Sequence, residues 1–244
     1  YAASKINKPF LGIYSACASN VEGLIIGSNF INSGIINNCL CGTSSHNMSS
    51  EKQFRNPTEY GAPKPETATF TATGGASAVI SNKKSNIKIE SATIGRIVDY
   101  NQKDALNMGA VMACAAADTL KRHLDDLNRK EDYYDLILTG DLGLYGREIL
   151  KEFMMKEHKI NISCNYNDCG VMLYDLEEQK EVLAGGSGPV CSALVLYGFI
   201  LNEMKKKNIK KVLLIATGAL FSPTMLYQKE NILSIAHAIS LEAI

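Results

Sequence analysis

The sequence predicts an α/β fold built on a mainly parallel sheet. Three observations carry that reading. Short apolar runs alternate with longer stretches of helical period. Twice a turn of small residues leads into a helix: Ser15-Ala16-Cys17-Ala18-Ser19 follows the apolar run Phe10–Tyr14, and Gly185-Gly186-Ser187-Gly188 follows Asp168–Tyr174. Each helix is then followed by another apolar run at a similar distance, 25 residues from Cys17 to Gly42 and 27 from Cys191 to Gly218. Two copies of one α/β unit suggest halves related by a pseudo-twofold, dividing into residues 1–100 and 101–244. The interface between such halves is a common place for a ligand pocket.

The elements follow in chain order. Tyr1–Ile6 reads as the end of a helix, and Phe10–Tyr14 as a short buried strand. A central parallel strand is rarely the first element of its sheet, so the chain reads as a piece of a longer protein. Val21, Leu24, Ile25, Ile26, Phe30 and Ile31 recur with helical period from about Asn20 to Ser33. Asn38–Ser44 is a strand, and Gly42–Pro65 a long polar segment of the kind that often carries function. Thr67–Asn82 reads as strand with a break at Gly74-Gly75, and Ile87–Tyr100 as another. Asn107–Asn128 is a helix with Met108, Val111, Met112, Ala115, Leu120 and Leu124 on its inner face. Asp135–Thr139 is a buried strand whose turn, Gly140-Asp141-Leu142-Gly143, opens the next helix. Asp168–Tyr174 reads as strand, Val190 to about Lys205 as helix, and Lys211–Gly218 and Ile235–Ile239 as strands.

Composition narrows the function classes. The 244 residues carry 25 basic and 25 acidic side chains, so no nucleic-acid footprint is visible. Seven cysteines form no disulfide framework, and without a signal peptide they fit a reducing compartment. The apolar runs fall short of the roughly 20 residues needed to cross a bilayer, so any membrane contact is peripheral or through a partner.

In parallel sheets ligands bind beyond the carboxyl ends of the strands. That rule selects Cys17, Thr43–Asn47, Asp141 and Thr217-Gly218. A thiol at a helix N-terminus meets unpaired N–H groups and the positive end of the dipole, which favour thiolate; a buried structural cysteine suits the same position. His46 lies in a loop after a strand, where a solvated histidine is the plain reading. Arg55, in Gln53-Phe54-Arg55-Asn56-Pro57, has the planar fork that grips a carboxylate, and equally suits a surface arginine. Asp141 is a pocket acceptor or a helix N-cap. The glycines around Ser187 offer N–H groups to an anion, without the spacing or lysine of a phosphate loop. Cys39 and Cys41 point along one face of a strand, and no Cys-x-x-Cys zinc pattern exists. His123 and His158 read as solvated or half-buried, and His237 as a hydrogen-bonded core residue.

Together these segments resemble the stage V sporulation protein AD family of endospore-forming bacteria, in the thiolase-like superfamily. The resemblance rests on Thr43-Ser44-Ser45-His46-Asn47, Glu51 to Gly61, Ala115-Ala116-Ala117-Asp118-Thr119, Tyr134 to Leu142, Asn167-Asp168-Cys169-Gly170, Ala184 to Gly188 and Ala216 to Thr224, spread over nearly the whole chain. It implies the thiolase-like fold, a pseudo-twofold repeat of βαβαβαββ halves. Family members carry a further N-terminal segment, so the resemblance implies that part of the first half is lacking here. Condensing enzymes of the superfamily pair a nucleophilic cysteine with a histidine and an asparagine or second histidine. Cys17 matches the nucleophile; Asp141-Leu142 and Gly186-Ser187 fall where the partners belong. The resemblance therefore implies a non-enzyme that binds dipicolinic acid (pyridine-2,6-dicarboxylate) or its calcium chelate for uptake into the developing spore. Cys17, His46, Asp141 and Ser187 would surround the ligand, with Arg55 as a carboxylate clamp. No cofactor is implied; calcium would arrive with the ligand. Implied partners are other SpoVA membrane proteins and a second copy in a homodimer, at the cytoplasmic side of the forespore inner membrane. The alternative is a residual acyltransferase with Cys17 as nucleophile.

Overall fold

The computed structural model describes residues 2–54 and 63–244. After a short helix α1 (Ala2–Ile6), helix α2 (Ser19–Asn32) leads into strand β1 (Asn38–Ser45) and helix α3 (Asn47–Phe54). Strands β2 (Phe70–Thr71), β3 (Gly74–Ser81) and β4 (Ile87–Thr93) precede the long helix α4 (Met108–Asp126). Strand β5 (Leu136–Thr139), helix α5 (Gly143–His158), strand β6 (Tyr166–Asp168), helix α6 (Cys169–Leu173) and strand β7 (Gly186–Ser187) follow. Helices α7 (Cys191–Val195) and α8 (Leu201–Lys205) are joined by a π-helical stretch, Leu196–Ile200. Strand β8 (Lys211–Leu220), helix α9 (Pro223–Tyr227) and strand β9 (Leu233–Ala243) complete the chain.

The main sheet has five strands in the order β4-β9-β8-β5-β6. β5 is parallel to β6 and β8, while β9 is antiparallel to both β8 and β4. β1 and β3 form a separate antiparallel pair, with Leu40 opposite Val79 and Cys41 opposite Ala78. β2 and β7 make a two-residue parallel contact. One face of the five-stranded sheet carries α4 and α5 in a core of Met112, Leu120, Leu150, Leu213 and Ile215. The other face carries α2 and α7–α8 with Val21, Leu24, Leu196, Leu214 and Ile239, and this core reaches Cys41 of β1. Gly109 and Gly146 let α4 and α5 touch: a Cβ on Gly109 would stand 2.2 Å from the Leu142 carbonyl.

Several elements differ from expectation. Phe10–Tyr14 is neither strand nor buried: Phe10 is 76% exposed, with Leu11 and Tyr14 also on the surface. Among the described residues it pairs with no strand, and a segment without a hydrogen-bonding neighbour has no ladder to join. The polar segment 42–65 begins inside β1 and continues as α3, because the β1 ladder runs on to Ser45 opposite Gly74. Within the expected strand Asp168–Tyr174, Cys169–Leu173 is helix, since the Asp168 side chain caps it by accepting from the Val171 N–H. Strand β3 starts at Gly74, where a break was expected. His123 is fully buried, its ring nitrogens 2.7 Å from Thr93 Oγ1 and 2.6 Å from Tyr134 Oη. Burial, with Arg129 nearby, pushes its pKa down to about 4. His237 is a hydrogen-bonded core residue, accepting from the Gly95 N–H.

Candidate functional site

The site lies where the Cys17 turn meets the carboxyl ends of β5 and β8. Ala16 sits in the left-handed region at φ 51°, a conformation an alanine adopts only when its surroundings hold it there. A network of hydrogen bonds holds the turn. The Ser15 N–H donates to Ser19 Oγ at 2.9 Å, Ser19 Oγ donates to the Ala16 carbonyl at 2.7 Å, and the Ala18 N–H returns to the Ser15 carbonyl. Ser15 Oγ donates to Glu22 at 2.8 Å. Gly218, at the end of β8, permits the approach: a Cβ there would lie 2.5 Å from the Ser15 carbonyl oxygen. The turn is therefore wedged against the sheet end, with Cys17 half-buried at the start of α2.

Asp141 closes the other side. It follows β5 after Gly140 and is 1% exposed. Its carboxylate accepts the Gly188 N–H at 3.0 Å and the Thr217 hydroxyl at 2.8 Å. The Cys17 thiol also donates to it. Burial pushes this carboxyl up to about 6, the three donors oppose the shift, and the nearby Asp168 charge adds to it. Asp168, itself fully buried, accepts from Thr139 Oγ1 at 2.6 Å, the Leu142 N–H at 2.9 Å and the Gly143 N–H at 3.0 Å. It thereby fixes the backbone that carries Asp141. Behind them lie Cys169 and Cys191, whose thiols burial pushes far up.

The structure thus brings Cys17 and Asp141 into contact. Ser187 is buried beside them, one residue before the Gly188 N–H that Asp141 accepts, and its backbone pairs with Thr71 of β2. His46 is exposed at the start of α3, where its carbonyl accepts the Ser50 N–H. Its neighbour Ser45 lies against Gly188, where a Cβ would stand 3.0 Å from Ser45 Oγ. Arg55 lies outside the described residues. The Thr217 hydroxyl and the Gly188 N–H, both at turns the sequence selects, donate to Asp141; the contributor that sequence reasoning missed is the clamp Asp168. The signal for Asp168 was an aspartate followed by Cys-Gly at a strand end, an N-cap pattern.

Chemically, a carboxylate occupies the position beside the thiol. An ionised carboxylate accepts hydrogen bonds and cannot donate one. Beside a sulfur it favours the S–H form over thiolate, opposing the α2 dipole. Among the described residues no group of three or more His, Cys, Asp or Glu side chains is arranged to hold a metal ion.

Comparison with known proteins decides the family. The family model for stage V sporulation protein AD (SpoVAD) matches residues 1–242. The chain belongs to the stage V sporulation protein AD family. It is 45% identical over 242 residues to stage V sporulation protein AD of Bacillus subtilis (strain 168), covering 99% of this chain and 71% of that relative. Solved structures of similar fold include 3-oxoacyl-[acyl-carrier-protein] synthase III from Aquifex aeolicus VF5, with a TM-score of 0.61 and 11% identity, over 99% of this chain and 70% of that one. Acat5 thiolase from Ascaris suum, solved with coenzyme A, is similar with a TM-score of 0.57 and 10% identity, over 100% of this chain and 82% of that one. The fold of this sporulation-family chain is thus thiolase-like. Among the described residues no helix is long and apolar enough to cross a membrane.

Proposed function

We propose that this member of the stage V sporulation protein AD family is a receptor rather than a catalyst, binding dipicolinic acid or its calcium chelate for uptake into the developing spore. The observation that carries the reading is the buried Asp141 carboxylate, which takes the Cys17 S–H, the Gly188 N–H and the Thr217 O–H. A condensing site needs a group that relays protons at the sulfur and donors aimed at a developing oxyanion. Here the thiol's partner is an acceptor, and the Gly188 N–H and Thr217 O–H already point at it.

The charge of Asp141 also bears on the ligand. A free dianion next to an ionised carboxylate is repelled. A chelate whose calcium cancels the ligand's charge avoids that cost, as does binding with a proton on Asp141. Arg55 as a carboxylate clamp, Ser187 as a backbone and hydroxyl contact and His46 at the rim belong to the same proposal. So do a homodimer, docking to other SpoVA membrane proteins, and a peripheral position on the forespore inner membrane.

Isothermal titration calorimetry tests the reading. Dipicolinate with and without calcium should bind saturably, and Cys17→Ala and Asp141→Asn should each change the affinity at least tenfold. Absence of heat with both ligand forms would leave a scaffold that only docks partners.

A further inference from the structure

Away from the Cys17 site, Cys39 and Cys41 stand two residues apart on one face of β1, with their sulfurs 3.9 Å apart. They face α2, where Gly23 and Gly27, one helical turn apart, leave room for them. A Cβ on Gly27 would lie 2.9 Å from Cys41 Sγ and 3.3 Å from Cys39 Sγ. The Cys41 thiol donates to the Gly23 carbonyl at 3.2 Å. Cys41 is buried, and Cys39 is half-buried. The pair is thus sheltered on the helix side and reachable through Cys39.

We infer that Cys39 and Cys41 form a bidentate site for a soft, thiophilic cation of the copper(I) class. Soft thiolates select such ions. Two metal–sulfur bonds of about 2.3 Å, the zinc–thiolate length, span roughly 3.8 Å at a tetrahedral angle and roughly 4.6 Å when collinear. At 3.9 Å the sulfurs stand near the bent limit of that span, so a two-coordinate ion draws them apart by up to about 0.7 Å as it approaches its collinear geometry. A disulfide asks for more. Its sulfurs must close to about 2.05 Å, and alternate residues of a strand lie near the upper end of the Cα separations that disulfides tolerate. Pairing with β3, Cys39 opposite Ile80 and Cys41 opposite Ala78, holds the strand extended. Zinc in a closed site needs four ligands, and no cluster of three or more metal-ligating side chains exists among the described residues. A two-coordinate monovalent ion matches what the strand offers. On binding, each thiol releases its proton to solvent and each sulfur gains one bond to the cation, with no change of oxidation state.

The test uses the whole chain, reduced and free of oxygen, titrated with copper(I) supplied as its acetonitrile complex against a colorimetric copper(I) chelator. Native mass spectrometry gives the stoichiometry. One copper per chain should be held, and Cys39→Ser and Cys41→Ser should each weaken it at least tenfold. Cys164→Ser, altering an exposed thiol elsewhere, should leave it unchanged. Cys39→Ser, at a half-buried position, keeps the test usable if Cys41→Ser folds poorly. Zinc under the same conditions should be lost to a chelator of comparable strength. No retained copper, one copper per two chains, equal retention by both serine variants, or zinc held as tightly as copper would overturn the inference.

Discussion

β8 and β1 each follow a helix and pair antiparallel with a later strand, yet they live in different environments. β8 lies inside the five-stranded sheet, and every residue from Val212 to Ala219 is buried. Among the described residues β1 pairs only with β3. Its burial alternates, with Cys41 inside and Leu40 62% exposed. The sequences already differ in this way: Val-Leu-Leu-Ile-Ala is the continuous apolar run of a strand covered on both faces, whereas Asn-Cys-Leu-Cys-Gly-Thr-Ser-Ser is not. The five-stranded sheet, clad by helices on both faces, holds the stability of the molecule. The β1–β3 pair is anchored chiefly through α2.

The largest effect should come from cutting into the first region. Leu213→Ala, at a fully buried position, should lower unfolding free energy by about 2–5 kcal/mol in chemical denaturation. Leu40→Ala should change it by no more than about 0.5 kcal/mol. Equal losses would mean that the two sheets share one cooperative core on equal terms. Next comes the clamp at the end of β5. Asp168→Ala leaves the Thr139 hydroxyl and the Leu142 and Gly143 N–H groups without their acceptor. A loss of about 3 kcal/mol is expected, together with weaker binding of the proposed ligand dipicolinate, because the Asp141 turn is released.

A third comparison sets two buried titrating groups against each other. Asp141 is raised to about 6, so the folded state holds its proton longer than the unfolded chain does. Its contribution favours folding at low pH and is lost as pH rises from about 4 to about 6. His123 is lowered to about 4, so the unfolded chain takes up a proton first. Its contribution is present above about 6.5 and lost as pH falls toward about 4. The two slopes oppose one another, each worth on the order of 2–3 kcal/mol over its window. Stability measured between pH 4 and 6.5 should therefore fall more steeply with acid in Asp141→Asn than in the unaltered chain. A shallower fall in that variant would contradict the assignment. The smallest effect is kinetic: amides of β1 should exchange with deuterium faster than those of β8, through local opening. Matched protection would remove the distinction between the regions.

Much of this was legible in the chain. The helices α2 and α4 and the strands β1, β5, β8 and β9 announce themselves because their apolar periods agree with their local propensities. Asp141 was found because a polar residue directly after a buried strand marks the ligand end of a parallel sheet. The misses have physical causes. Phe10–Tyr14 is apolar, but a strand needs an edge to pair with, and pairing is a property of the fold and not of five residues. Cys169–Leu173 is equally apolar, and one capping side chain tips it to helix. His123 sits on a helix with charged neighbours, Arg122 and Asp125, that suggest solvent. Its partners, Thr93 and Tyr134, come from distant positions. Thr217 is selected by the same strand-end rule as Asp141, and the two meet through a hydrogen bond across 76 residues of chain.

The sulfur of Cys17 is proposed to be held as a thiol by an acceptor rather than primed as a nucleophile. Intact-mass spectrometry of the protein after incubation with acyl-coenzyme A tests that most directly. An unmodified mass is expected, with Cys17 still reacting with an alkylating reagent afterward. A stable acyl adduct mapped to Cys17 would contradict it and restore a condensing enzyme.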